Sequence, residues 1–119
     1  MAGRATVDGP AVTLPAVAAQ PVAMVLHELA TNAAKHGALS TPAGSVAVTW
    51  RTDGARLRIR WAESGGPPVA GPPMRSGFGS RLLDGTIRTQ LRGTVERTWD
   101  ASGLVCDVVV PLGEVHEGR

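Results

Sequence analysis

From Ser45 to Trp61 the chain alternates with a period of two, and the alternation is interrupted once, at Asp53-Gly54. Val46, Val48 and Trp50 fall on one face, with Ala47, Thr49 and Arg51 on the other; beyond the turn, Leu57, Ile59 and Trp61 alternate with Arg56, Arg58 and Arg60. Successive side chains of a strand point to opposite sides, so this pattern is a β-hairpin with one apolar face. Asp-Gly is a turn pair that tolerates the positive φ a tight hairpin connection requires. Such a hairpin cannot stand alone in water. It needs further strands, or a helical layer, over the apolar face.

Residues 18–38 supply a cover. Val22, Val25, Leu26, Leu29 and Ala33 recur at helical spacing and form one apolar stripe. Pro21 suits only the first turn of a helix, which puts the start of the regular helix there, and Gly37 reads as its stop. Upstream, Ala11 to Leu14 reads as a short strand ending at Pro15, and the small polar residues 1–10 as a frayed end. A second helix is expected over 78–92, with Leu82, Leu83, Ile87 and Leu91 on its apolar face. Strands over Thr94–Trp99 and Leu104–Leu112 close the chain, with a turn at Asp100 to Gly103. The order β-α-β-β-loop-α-β-β predicts an α/β (α+β) two-layer sandwich, a mixed, mostly antiparallel sheet covered on one face by helices.

With 119 residues the chain has room for one domain, read as 1–119 with a core over about 10–112. Apolar residues make up 43% and charged residues 18%, an ordinary globular composition that can bury a core without staples. The net charge of +2 gives no electrostatic footprint for nucleic acid. Arg51, Arg56, Arg58 and Arg60 read as a solvated sheet face. Cys106 is the only cysteine, so no internal disulfide can form, and its apolar run from Leu104 to Val110 reads as a site for a buried, inert thiol. No apolar stretch approaches the ~20 residues of a membrane span, and no signal-peptide pattern opens the chain. The expectation is a cytoplasmic domain without membrane contact.

Two segments carry polar residues suited to chemistry. The first is His27-Glu28-Leu29-Ala30-Thr31-Asn32-Ala33-Ala34-Lys35-His36-Gly37. On a helix, Glu28, Asn32 and Lys35 share an arc of about 60° beside the apolar stripe. The amide and carboxylate oxygens suit Mg²⁺, and the lysine offers a point charge for phosphate. A solvated helix flank is the plainer reading of the same three residues. His27 points away from this group, toward the far side of the helix, and reads as a residue that packs on or bonds to a neighbouring element. The second segment runs from Glu63 through Ser64, Gly65, Gly66, Pro67 and Pro68 to Gly77-Phe78-Gly79-Ser80. Glycines let backbone approach a ligand, and a helix N-terminus favours phosphate. This is neither the Walker pattern nor the dinucleotide fingerprint. A connecting loop would have the same composition. Loops of this length in a compact domain are usually lids or linkers.

Taken together, these motifs resemble a known family. His27 to Ser40, HELATNAAKHGALS, resembles the N box of the HWE histidine kinases, and Trp61-Ala62-Glu63 followed by Gly65-Gly66-Pro67 is similar to their Trp-x-Glu G1 box. Gly77-Phe78-Gly79-Ser80 resembles the G2 box, and Gln90-Leu91, Gly93 and the closing 103–111 segment follow in order. The resemblance implies the Bergerat ATP-binding fold of GHKL ATPases and the catalytic domain of a two-component sensor histidine kinase. It implies ATP and Mg²⁺ as cofactors. Asn32 would be the Mg²⁺ ligand, Glu28 would orient or activate the reacting group, and Lys35 would meet the phosphates. Glu63, where related ATPases more often have Asp, would accept from the adenine amino group. Gly65, Gly66, Gly77, Gly79 and Ser80 would shape the lid and phosphate cradle.

Two positions depart from the pattern. His36 stands where Tyr is common after the lysine, and Arg92 stands where Gly is common. The implied partners are a dimerisation domain bearing the phosphoacceptor histidine, which this chain is expected to lack, and a response regulator. Two other functions share the fold: a non-catalytic module that binds nucleotide or a partner, and a Ser-directed protein kinase of the anti-sigma type. Retention of Glu28, Asn32 and Glu63 favours the histidine kinase over the first, and the Trp61–Glu63 spacing favours it over the second.

Overall fold

The computed structural model describes residues 5–67, 83–100 and 103–112. Its elements are strand β1 (Ala5–Asp8), helix α1 (Ala16–Lys35), a single 3₁₀ turn (Ala38–Ser40), and strands β2 (Ser45–Asp53) and β3 (Arg56–Ser64). Helix α2 (83–90) and strands β4 (Thr94–Asp100) and β5 (Gly103–Pro111) follow. The five strands form one sheet in the order β1-β2-β3-β5-β4. Only the β1–β2 pair is parallel. Both helices lie on one face, so the two-layer, mostly antiparallel sandwich expected from the alternation is the architecture found.

The β2–β3 hairpin keeps the buried face its alternation requires and pairs Val48 with Trp61 and Asp53 with Arg56. Its tight turn falls one residue later than the Asp-Gly signal: Gly54 takes the positive φ, at 64°. The inward row Val46, Val48, Leu57, Ile59 and Trp61 is buried, and it meets Val22, Val25, Leu29 and Ala33 of α1. Leu83, Ile87 and Leu91, spaced four apart, bring α2 onto the same core.

Three boundaries differ from the sequence reading. The first strand is Ala5–Asp8, not Ala11–Leu14. Gly9-Pro10 interrupts the chain after β1, and the Pro10 carbonyl accepts from the Trp50 indole N–H at 2.7 Å. Val12 and Leu14 then act as packing for the core edge rather than as a ladder. Helix α1 begins at Ala16, so Pro21 lies inside it. The extra turn is held by Ala18 and Ala19 N–H donating to the Pro15 carbonyl, and by burial of Ala18 and Pro21. That burial offsets the backbone bond that proline cannot make. Finally, α2 ends in π geometry over Thr86–Gln90, with the Leu91 N–H returning to the Thr86 carbonyl and the Gly93 N–H to that of Ile87. Residues 78–82 of the expected helix lie outside the described residues.

The opposite sheet face is polar. Arg60 makes a two-pronged ion pair with Asp107 at 2.8 and 3.1 Å, and Arg58 meets Asp53 at 3.1 Å. The hydrogen bond and charge of Asp107 raise the Arg60 pKa above its usual value. These pairs are exposed, and each contributes no more than about 1 kcal/mol. Arg58 and Arg60 are thus charge-compensated on a solvated face, with Arg51 and Arg56 exposed beside them.

Candidate functional site

Helix geometry decides where Glu28, Asn32 and Lys35 point. At about 100° per residue, Leu26 and Ala30 lie on one flank of the buried stripe, and Met24, Glu28, Asn32 and Lys35 on the other. Leu26 and Ala30 line an apolar cleft of about 550 Å³ between α1 and the β1–β2 edge. The polar flank faces the other way, toward α2: Thr86 Oγ1 donates to the Met24 sulfur at 3.6 Å. Glu28 and Asn32 are half-buried and Lys35 is exposed. Neither Glu28 nor Asn32 has a side-chain hydrogen bond among the described residues. A carboxylate, an amide and an ammonium share the α2 flank of α1. His27 is exposed, so the expectation that it packs on a neighbouring element does not hold. His36 is exposed at the C-terminal cap of α1.

Beyond α1 the chain turns back through Ala38–Ser40 and packs on the end of β3. Glu63 is the centre of this junction. It closes the inward row of β3, where Trp61 and Glu63, two apart, share a face. Glu63 is 6% exposed, yet both oxygens are occupied: Oε1 accepts from the Ala38 amide at 3.0 Å and Oε2 from the Trp61 indole at 2.9 Å. A buried carboxylate is tolerable only with such partners. One residue thus ties the exit of α1 to the end of β3, 25 positions away.

The glycines make this contact possible. A Cβ at Gly37 would sit 2.3 Å from Glu63 Oε1, and one at Gly66 would sit 2.5 Å from the Ala38 Cα. Gly65 adopts φ 75°, and Thr41 Oγ1 donates to its carbonyl at 3.2 Å. Gly65 and Gly66 both approach the 37–44 segment closely. Gly77, Phe78, Gly79 and Ser80 lie outside the described residues. Asp84 of α2 pairs with Arg97 of β4 at 2.7 Å, partly buried.

Sequence reasoning missed the Ala38–Glu63 bond and the Trp61 N–H. A signal for half of it was present: a carboxylate continuing the apolar row Leu57, Ile59, Trp61. No group of three or more His, Cys, Asp or Glu residues that could hold a metal exists among the described residues. A hard cation here would rely on Asn32 or Glu28 and on oxygens of its ligand, the arrangement Mg²⁺ favours. Among the described residues no helix is long and apolar enough to cross a membrane.

No protein-family model matches the chain. It is 41% identical over 114 residues to a blue-light-activated histidine kinase of Rhizobium johnstonii, covering 92% of this chain and 32% of that protein. Blue-light-activated histidine kinase 1 of Erythrobacter litoralis is 39% identical over 93% of this chain and 31% of its own length. The chain thus spans about a third of the curated relatives it matches. Among solved structures, the histidine kinase domain of Erythrobacter litoralis EL346 superposes with a TM-score of 0.78 at 20% identity, over 93% of this chain and 52% of that one. The catalytic domain of histidine kinase ThkA gives 0.69 at 17%, over 91% and 78%. The chain is therefore a relative of the blue-light-activated histidine kinases, matched over about a third of their length, and it has the fold of a histidine kinase catalytic domain.

Proposed function

We propose that this chain is the ATP-binding catalytic domain of an HWE-type sensor histidine kinase of the GHKL fold. It binds Mg-ATP and directs the γ-phosphoryl group to a histidine on a separate segment. The observation that carries this reading is the α2-facing flank of α1, where half-buried Glu28 and Asn32 have no side-chain partner among the described residues.

The chemistry that Mg-ATP supplies is an activated phosphoryl group; the chain's work is positioning and charge. Asn32 offers the amide oxygen for the cation. Glu28, one turn earlier on the same flank, orients or activates the incoming imidazole. Lys35, exposed at the end of α1, meets phosphate as a point charge. Glu63 keeps acceptor capacity: a carboxylate has about four lone-pair positions, and the protein uses two. It is the acceptor for the adenine amino group. Gly65 and Gly66 hold the wall against the 37–44 segment. Gly77, Gly79 and Ser80 belong to the lid and phosphate cradle by resemblance alone.

The partners that follow are a dimerisation domain with the phosphoacceptor histidine, and a response regulator. Support for the latter comes from ThkA, whose fold this chain shares and which has been solved with the response regulator TrrA. A cytoplasmic setting fits that partner. Incubation with γ-labelled ATP, Mg²⁺ and a separately supplied helical segment bearing a phosphoacceptor histidine tests the reading. Acid-labile label on the added histidine is expected, and none on His27 or His36, which are held on α1 and its cap. Label on a serine of the added protein would instead support the anti-sigma type of kinase.

A further inference from the structure

We infer that Trp61 is a positioning residue for base selectivity: its indole N–H fixes the orientation in which Glu63 presents its carboxylate to the base of a bound nucleotide. The inference rests on the nucleotide-binding reading above. It concerns a residue for which that reading has no role.

The terminal torsion of a glutamate is broad, so an unrestrained carboxylate turns with little resistance and offers no fixed acceptor direction. Here two donors restrain it. The Ala38 amide holds Oε1 at 3.0 Å, and Trp61 Nε1 holds Oε2 at 2.9 Å. Trp61 is itself 5% exposed and packed in the core, so its donor is fixed. The two oxygens are not equivalent toward a ligand. Oε1 lies under Gly37, where even a Cβ would come within 2.3 Å. The acceptor capacity left over is therefore on Oε2, the oxygen that Trp61 holds. In both bonds the carboxylate is the acceptor. An exocyclic amino group satisfies it, whereas a carbonyl at the same position is repelled.

Removing the indole N–H frees the Oε2 end to rotate, and selectivity falls while the pocket persists. Calorimetric titration with Mg-ATP and Mg-GTP tests this on the wild type, on Trp61→Phe and on Glu63→Gln, with Val108→Ala as a control that weakens the core elsewhere. The wild type should prefer ATP. Trp61→Phe should reduce the ATP-to-GTP affinity ratio at least about fivefold, as Glu63→Gln does, while Val108→Ala leaves the ratio unchanged. A measurement on the unaltered protein stands beside it. The chain has three tryptophans, so three indole N–H resonances are available, and that of Trp61 should shift on saturation with ATP. An unchanged ratio in Trp61→Phe, or an unmoved Trp61 resonance at saturating ATP, overturns the inference and leaves the nucleotide site intact. Failure of the wild type to bind either nucleotide overturns the proposed function itself, and this inference with it.

Discussion

Arg92 is the one non-glycine residue with positive φ among the described residues, at 56°. It follows α2 directly, between Leu91, whose N–H returns to Thr86, and Gly93, whose N–H returns to Ile87. The left-handed conformation is therefore imposed by the way the π turn ends. For an L residue it costs about 1–2 kcal/mol, because Cβ crowds the following carbonyl. The Arg92 side chain is exposed and makes no ion pair among the described residues, so nothing among them offsets that cost. Arg92→Gly removes the clash but adds freedom to the unfolded chain, worth about 0.5–1 kcal/mol. The net expectation is a gain of about 0.5–1 kcal/mol, near 4 °C in Tm for a domain of this size. Arg92→Ala is the control, since it removes the guanidinium and keeps Cβ. Urea unfolding of the three proteins decides the matter. Equal stability of the Gly and Ala variants, or a loss on changing Arg92 to Gly, would refute the strain argument.

The remaining expectations concern packing and burial. Gly66→Ala places a methyl 2.5 Å from the Ala38 Cα and should cost about 1–3 kcal/mol in chemical denaturation. Gly85→Ala, at a helical position with nothing within 4 Å, should be neutral or stabilising by up to about 1 kcal/mol. Burial pushes the Cys106 thiol up from 9.0 to about 11. The native state then keeps a proton that the unfolded chain releases, so this stabilisation is complete below pH 9 and is lost as the pH rises toward 11. Unfolding free energies at pH 8 and 10.5 should show the loss in the wild type and not in Cys106→Ala. Alkylation of the thiol at pH 8 should require unfolding.

What could be read from the chain, and what could not, divides along physical lines. The hairpin and its buried face were legible because a period of two leaves no second face for Leu57, Ile59 and Trp61; its register was not, since a turn at Asp53-Gly54 would set Thr52 opposite Ala55, and the structure sets Asp53 opposite Arg56. The apolar stripe of α1 was equally legible, and with it the flank that carries Glu28, Asn32 and Lys35. Its N-terminal boundary was not, because Pro21 signals a first turn locally while burial of Ala18 and Pro21 extends the helix past it. Strand β1 was invisible for a related reason. It is four residues long, exposed along its length, and exists only by parallel pairing with β2, from Ala5 beside Val46 to Asp8 beside Thr49. The Glu63 junction depends on an amide 25 positions away, which no local pattern encodes. Resemblance located the Trp-x-Glu element; only the fold showed that its two polar groups bond to each other.

The proposed function requires that the α2-facing flank of α1 hold a metal-bound nucleotide through Asn32. Calorimetric titration of ATP into the wild type and Asn32→Ala, each in Mg²⁺ and in EDTA, is the most direct measurement. Asn32→Ala should bind at least about tenfold more weakly in Mg²⁺, a loss of the size that follows when a metal site is disturbed. In EDTA the two proteins should bind almost equally. An Asn32→Ala variant that remains folded and binds Mg-ATP as tightly as the wild type would contradict the proposed function.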